Sequence, residues 1–307
     1  MEIRLGIRDT DRLCRAQTEL VASQIKKACP EVTFTRRELA GYIGGSEEDE
    51  HWITDVVNAI SQGRIDMGVV SMKKLMKAES SVIWNRGINL TAITRRRDAR
   101  TVLITKKQKT KGGLSRGKSQ ARETAVLYTS SMDIKERCPY VYADTECLYD
   151  NSLDDCLIRL HNDECDGVIT QADILRLYKY NHMKDYIYDY IPTSIYVPET
   201  GEAMSAVLTS TDADIIDMVS RVSDENAVKC INIESDTIQR LNVRGYMQMT
   251  RAMASIEDDV LRVDACIYNH DKSLHRSNSG DDTESVDTDE NDNEDNNNEN
   301  DEENGEE

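Results

Sequence analysis

The sequence predicts an α/β protein of several domains followed by an acidic tail, and three observations carry that reading. Short apolar stretches with a period of two alternate with stretches whose apolar residues recur every three or four positions, as in successive strand and helix units. The chain has 307 residues, and a globular part of about 280 residues is ample for two or three domains. Charge is unevenly placed: 15 acidic and no basic residues lie from Gly280 to Glu307, against 57 acidic and 38 basic in the whole chain. The net charge of −19 is therefore mostly a property of the tail.

Ile3, Leu5 and Ile7 alternate with polar residues as a strand does, and Thr10 or Asp11 can cap a helix through Leu13, Ala16, Leu20, Ile25 and Ala28 to Pro30. Val32 to Arg36 alternates again, and GYIGGSEEDE reads as a loop. Trp52, Val56, Ala59 and Ile60 have helical spacing, Gly63 ends that helix, and Met67 to Val70 is a strand of the fully buried type. Such βαβα order implies parallel strands.

INLTAI and TVLIT, within 88–105, read as two strands around a basic turn holding Arg95, Arg96, Arg97 and Arg100. Segment 95–122 carries 11 Lys/Arg against one acid, Asp98, and its middle, KKQKTKGGLSRGKSQ, lacks apolar periodicity, so an exposed loop is expected. Ala125 to Tyr128 is a strand, 129–131 a turn, Leu153 to His161 a helix, Gly167 to Thr170 a buried strand and Ala172 to Tyr178 a helix. Strands are expected around Ile195 and at Ala206 to Leu208, then a helix from Asp212, another over Ile238 to Met253, and a strand at VLRVDACIY. From Asn278 onward the residues are mainly Ser, Asp, Asn and Glu, too polar to offset chain entropy by burial, and disorder is expected.

No run of about 18 apolar residues occurs, and the start, MEIRLGIRDTD, has neither an apolar signal core nor an acid-poor transit character. A soluble, membrane-free protein of the cytoplasm is expected, the nucleus being the other compartment its composition allows. Eight cysteines without short paired spacings suit a reducing compartment. Cys138, Cys147, Cys156 and Cys165 are spaced nine apart, which does not match the two-to-four spacing of metal knuckles. They are read as small apolar fillers, and no metal is expected.

Four segments resemble hydroxymethylbilane synthase, also called porphobilinogen deaminase. RLGIRDTDRLCRAQTELVASQIKKACP at 4–30 resembles the family's opening strand, turn and first helix, with one extra residue in the turn. WITDVVNAISQGRIDMGVVSMKKL at 52–75 follows the pattern LFxKELExALxxxxxDxxVHSxKDL. Val126 to Ser131 is similar to the family's VGTSSLRR, and INLTAITRRRDAR at 88–100 to its GLxIxAIxxRxxPxDA. The resemblance runs over about residues 3–268. It implies two periplasmic-binding-protein-like α/β domains, 1–98 plus 195–222 and 99–194, the chain crossing back into the first. A reduced α+β third domain, 223–272, and a disordered tail, 273–307, would follow. It further implies condensation of four porphobilinogens to hydroxymethylbilane in haem biosynthesis, primed by a dipyrromethane on a loop cysteine of the third domain, in a monomer.

That reaction builds positive charge on pyrrole nitrogens, so the family sets an Asp after the Lys of HSxKD to stabilise it. Here Lys74 holds that position. The family's arginine clamps for substrate carboxylates fall at Asp133, Ile134, Asp150 and Cys156, and its loop lysine at Asp49. Arg8, Thr10, Ser71, Lys73, Thr129, Ser130 and Ser131 are retained as vestigial cofactor- and substrate-binding positions. The cofactor cysteine aligns with Ser255, which cannot form the thioether, and Cys266 stands in a strand pattern eleven residues later.

Each position also has a plain structural reading. Thr129 to Ser131 can be a capped turn, Ser71 a strand end, Lys73 and Lys74 a solvated helix start or a small anion site, and Met247, Met249 and Met253 core. The sequence thus predicts a divergent family member with doubtful activity. The alternatives are an inactive homologue that binds anions in its cleft or polyanions through 95–122 in competition with its own tail, and a changed enzyme with a lysine nucleophile at 73 or 74.

Overall fold

A computed structural model describes residues 1–39, 51–78, 87–107, 124–242, 250–268 and 274–279. In the first lobe, β1 (Glu2–Ile7), β2 (Thr33–Glu38) and β3 (Met67–Ser71) alternate with α1 (Arg12–Ala28), α2 (His51–Ser61) and α3 (Met72–Lys77), followed by β4 (Asn89–Ile93). The second lobe contains β5 (Thr101–Lys106), β6 (Ala125–Thr129), α4 (Met132–Val141), β7 (Thr145–Tyr149), α5 (Leu153–His161), β8 (Gly167–Gln171), α6 (Ala172–Leu177) and β9 (Tyr186–Ile191). The chain then returns to the first sheet with β10 (Ser205–Thr209), continues through α7 (Ala213–Ser220) and α8 (Glu225–Asn242), and ends in β11 (Thr250–Glu257), β12 (Val260–Tyr268) and β13 (Leu274–Ser279).

The first sheet has the order β2-β1-β3-β10-β4 and the second β7-β6-β8-β5-β9, so both are built alike. In each, four strands run parallel and one strand arriving from the other lobe runs antiparallel between two of them. The lobes are therefore joined by two crossings, 94–100 and 192–204. The third sheet, β11-β12-β13, is antiparallel throughout.

Both faces of the first sheet are covered, which is why β3 reads as a continuous apolar run. Val70, Ala206 and Leu208 pack under Trp52, Val56 and Ile60 of α2, while Ile3, Met67, Val69 and Val207 pack under Val21 and Ile25 of α1 and Ile215 and Val219 of α7. Gly68 lets α2 approach this closely, since a Cβ there would lie 2.4 Å from Val56. At the start of α1 the cap is Asp11, which accepts from the Cys14 N–H, and not Thr10, which is exposed.

Several elements differ from the sequence reading. INLTAI and TVLIT do not flank a turn: β4 and β5 belong to different sheets, and the arginines between them lie in the first crossing. Ile195 is in a turn, and the strand expected there is β9, whose YIYDYI lies at the sheet edge with five of its six residues half-buried. The helix expected over 238–253 is α8, ending at Asn242, while Met253 lies in β11. Ala252 and Met253 are good helix formers, but pairing with β12 overrides local propensity. Helix α4 and strand β7 lie where the sequence reading assigned no element. Residues 274–279, placed in the tail by the domain boundary at 273, form β13 through backbone pairing with β12, which does not require apolar side chains. The 41–50 loop, Met247, Met249 and the acidic segment 280–307 lie outside the described residues.

Candidate functional site

The crevice between the first two sheets opens at the C-terminal ends of β1, β3, β6 and β8, where α/β sheets place their ligands. It encloses about 750 Å³ of empty space, the solvent at its mouth included. One wall is Asp11, Leu13, Cys14 and Gln17 of α1 and its cap, Trp52 of α2, and Ser71, Lys73 and Lys74 at the β3–α3 junction. The other is Ser130 and Ser131 after β6, Gln171, Asp173 and Ile174 after β8, and 202–204 of the second crossing. No arginine is among these lining residues.

Five of the sequence-identified positions therefore meet: Ser71, Lys73, Lys74, Ser130 and Ser131. Ser131 also caps α4, its Oγ accepting from Ile134 N–H at 3.4 Å. Thr129 is fully buried behind the wall, its Oγ1 accepting from Ser131 N–H at 3.2 Å. Arg8 is likewise buried, donating from Nη2 to Asp55 Oδ2 at 2.5 Å and stacked 4.9 Å from the centre of the Trp52 ring. Thr10 is exposed and lies off the wall. Ser255 is in the middle of β11, opposite Arg262, and not on a loop. Cys266 is buried with Val197 and Tyr268.

Lys73 does not present a free ammonium to the cleft. Its Nζ donates to Glu202 Oε2 at 3.1 Å and lies 3.5 Å from Glu199 Oε2, while Lys77 Nζ reaches Glu199 Oε1 at 2.5 Å. Burial pulls the Lys73 pKa down, but Glu202 and Glu199 outweigh it and hold the ammonium well above its usual range. Burial raises the carboxyl of Glu202, which Lys73 only partly counters. Glu199 is shifted the other way although burial and Asp133 push it up, because Lys73, Lys77 and Arg251 all surround it. Gly201 between the two glutamates has φ +76°, and a Cβ there would lie 2.9 Å from Lys73 N, so the crossing can pass α3 this closely only as glycine.

The same cluster extends into the other lobes. Asp133 on α4 pairs with Arg137 and with Arg251 Nη2 at 2.6 Å, and Arg137 donates to Val197 O at 2.6 Å. Glu234 of α8, with no exposed surface, pairs with Arg96 and accepts from the N–H groups of Gly201 at 2.9 Å and Ala254 at 2.8 Å. Asp173 on the cleft wall is held by Arg97 through Nε at 2.5 Å and Nη2 at 2.9 Å. Glu199, Glu202, Glu234 and Asp173 were missed in the sequence reading. The signal available was the run PETGE between apolar stretches, whose two acids flank a glycine.

This network partners Arg96, Arg97 and Arg100 of the basic turn, while most of the middle of segment 95–122, read as an exposed loop, lies outside the described residues. Besides Arg96 and Arg97, Arg100 chelates Asp98 at 2.9 and 2.7 Å, Lys106 meets Asp163 at 2.6 Å, and Lys107 donates to Lys184 O at 2.6 Å. Arg96 and Arg97 are drawn inward by buried carboxylates, while Lys106 and Lys107 pair at the surface. Lys109, Lys111, Arg116, Lys118 and Arg122 lie outside the described residues.

Cys14 also lines the crevice, but burial, reinforced by Asp11, pushes its thiol up to about 12, leaving almost no thiolate at neutral pH. Among the described residues no group of three or more His, Cys, Asp or Glu could hold a metal ion, and no helix is long and apolar enough to cross a membrane.

Two solved structures similar in fold are the periplasmic VFT2 domain of Bordetella pertussis BvgS and an ancestral cationic amino acid solute-binding protein. They are 8% and 10% identical, with TM-scores of 0.41 and 0.44, over 72% of this chain and 86% and 87% of those chains. Among curated proteins, the porphobilinogen deaminase of Geobacillus kaustophilus is 24% identical over 90% of this chain and 88% of its own length. That of Deinococcus deserti is 25% identical over 90% and 89%. The family model described as porphobilinogen deaminase, dipyromethane cofactor binding domain, matches residues 3–217, which contain both lobes and every wall of the crevice. On that match and on relatives aligned along most of their length, the chain belongs to the porphobilinogen deaminase family.

Proposed function

We propose that this chain is a family member that has lost porphobilinogen condensation and keeps the crevice as a site for a small ligand bearing a single carboxylate. The observation that carries the reading is Lys74 on the crevice wall, at the position of the family's stabilising Asp. Cation growing on a pyrrole nitrogen would meet an ammonium there. Removing one such electrostatic stabiliser costs about 3 to 4 kcal/mol, and reversing its sign costs more.

The family's dipyrromethane does not fit the residues present. Its attachment point aligns with a serine inside a strand, Ser255, and the crevice wall carries Asp11, Asp173 and Glu202 but no arginine to hold several carboxylates. The same wall suits one carboxylate, because Lys74 and the hydroxyls of Ser71, Ser130 and Ser131 can donate to it while no lining arginine clamps a second.

A second reading, residual hydroxymethylbilane synthesis, is favoured by the meeting of Ser71, Lys73, Ser130 and Ser131 at the crevice. One assay separates the two. The purified full chain is incubated with porphobilinogen, weighed intact, and its supernatant analysed for hydroxymethylbilane, with calorimetric titration of a monocarboxylate, propionate, alongside. The proposal expects the bare polypeptide mass, no product, and binding without turnover that weakens about tenfold in Lys74→Gln. Product formation, or an added dipyrromethane mass lost in Cys266→Ser, overturns it.

A further inference from the structure

The cysteines spaced nine apart play no part in the crevice, and the second sheet sorts them into two pairs. Cys156 and Cys165 are buried on one face, with Leu153, Leu160 and Val168. Cys138 and Cys147 pack together on the other face, with Leu127, Ile134 and Ile169. Cys138 comes from α4 and Cys147 from β7, and their thiols hydrogen-bond to each other. Thr145, two residues before Cys147 and so on the same face of β7, has its Oγ1 3.9 Å from Cys138 Sγ.

Cys138 has no exposed surface, while Cys147 is half-buried, so a small reagent reaches the pair through Cys147. Pro139 follows Cys138 inside α4 and cannot donate the helical hydrogen bond to Lys135 O, which loosens the helix beside the thiol.

We propose that Cys138 and Cys147 are a reversible dithiol that closes to an intramolecular disulfide when oxidised by low-molecular-weight disulfides of the glutathione class. Cys147 passes its proton to the hydrogen-bonded Cys138 thiolate as it attacks one sulfur of glutathione disulfide, forming a mixed disulfide and expelling one glutathione thiolate, which takes up the proton from Cys138. Cys138 as thiolate then attacks Cys147 Sγ and expels the second. The protein loses two protons and two electrons, and one glutathione disulfide becomes two glutathiones. The hydrogen bond between the thiols lowers the Cys138 thiol against the opposing effect of burial and, together with burial, pushes the Cys147 thiol well above its usual range, so the pair ionises first at Cys138. The bond would tether the C-terminal half of the helix whose first turn holds Asp133 and whose cap, Ser131, lines the crevice.

The test equilibrates the full chain in reduced and oxidised glutathione buffers, alkylates free thiols, and reads intact mass and peptide map. The expected result is loss of two hydrogens, protection of two of the eight thiols from alkylation, a cross-linked peptide pairing Cys138 with Cys147, and reversal by dithiothreitol. Cys147→Ser should abolish the cross-link and Cys156→Ser should leave it intact. Cys138→Ala should stop at a glutathione adduct on Cys147, and if that variant does not fold the wild-type map and Cys147→Ser decide. A stable glutathione adduct on wild-type Cys147, a bond to Cys156, or full alkylation after oxidation overturns the proposal.

Discussion

Arg251 on β11 donates from Nη2 to Asp133 Oδ1 at 2.6 Å, across the boundary between the third sheet and the second lobe. Asp133, which the sequence reading aligned with a family arginine, gives the third sheet an ionic anchor. Arg251 further approaches Glu199 Oε1 to 3.5 Å, bringing all three parts of the chain into one cluster.

Asp133→Asn should therefore cost stability mainly at neutral pH. Burial alone would raise the carboxyl, but Arg137 and Arg251 hold it well below the usual carboxylate range. A depressed carboxylate stabilises the fold fully above its unfolded value of about 3.9, and that contribution disappears as pH falls through the folded value. The variant should be about 3 to 5 kcal/mol less stable near neutrality, and its urea midpoint should fall less steeply than the wild type's on acidification. Parallel acid slopes would show that another group titrates.

Lys73→Met should leave Glu202 buried without its cation, a loss of about 3 kcal/mol by the usual cost of breaking a buried pair. Because burial already raises the Glu202 carboxyl, that acid neutralises readily once Lys73 is gone. The stability gap to wild type should narrow as pH falls into the carboxylate range, since a protonated Glu202 needs no counter-ion. Denaturant titrations at neutral and mildly acid pH check this, and a gap independent of pH would place the cost in packing instead.

Glu234→Ala should be as destabilising as Asp133→Asn. It removes the acceptor for Gly201 and Ala254 N–H and leaves Arg96, mostly buried, without its partner. A loss of about 3 to 5 kcal/mol is expected, with Glu234→Gln milder because one oxygen remains as acceptor. Thermal melts that rank glutamine below alanine would contradict the assignment.

Lys74→Asp should not restore turnover. The substitution returns a carboxylate to the crevice wall but restores neither an arginine there nor a cysteine for the primer, and groups that act as a unit do not recover singly. Hydroxymethylbilane in the reaction of this single variant would show that the crevice is catalytically intact.

Elements governed by neighbours a few residues apart could be read from the sequence. Trp52, Val56, Ala59 and Ile60 define α2, and the unbroken apolar run at Met67 to Val70 marks a strand covered on both faces, because amphipathic period and two-sided burial leave a local trace. The motifs 52–75 and 126–131 likewise carried five polar residues to the crevice. Long-range pairing leaves no such trace. Lys73 meets Glu202 from 129 residues away, Arg251 meets Asp133 from 118, and Arg96 meets Glu234 from 138. Only the two crossings and the docking of β11 bring these charges together and desolvate them. That is why Arg96 and Arg97, read as part of a basic turn, became half-buried struts paired with Glu234 and Asp173, and why β11, helix-like in composition, is held as a strand by pairing with β12.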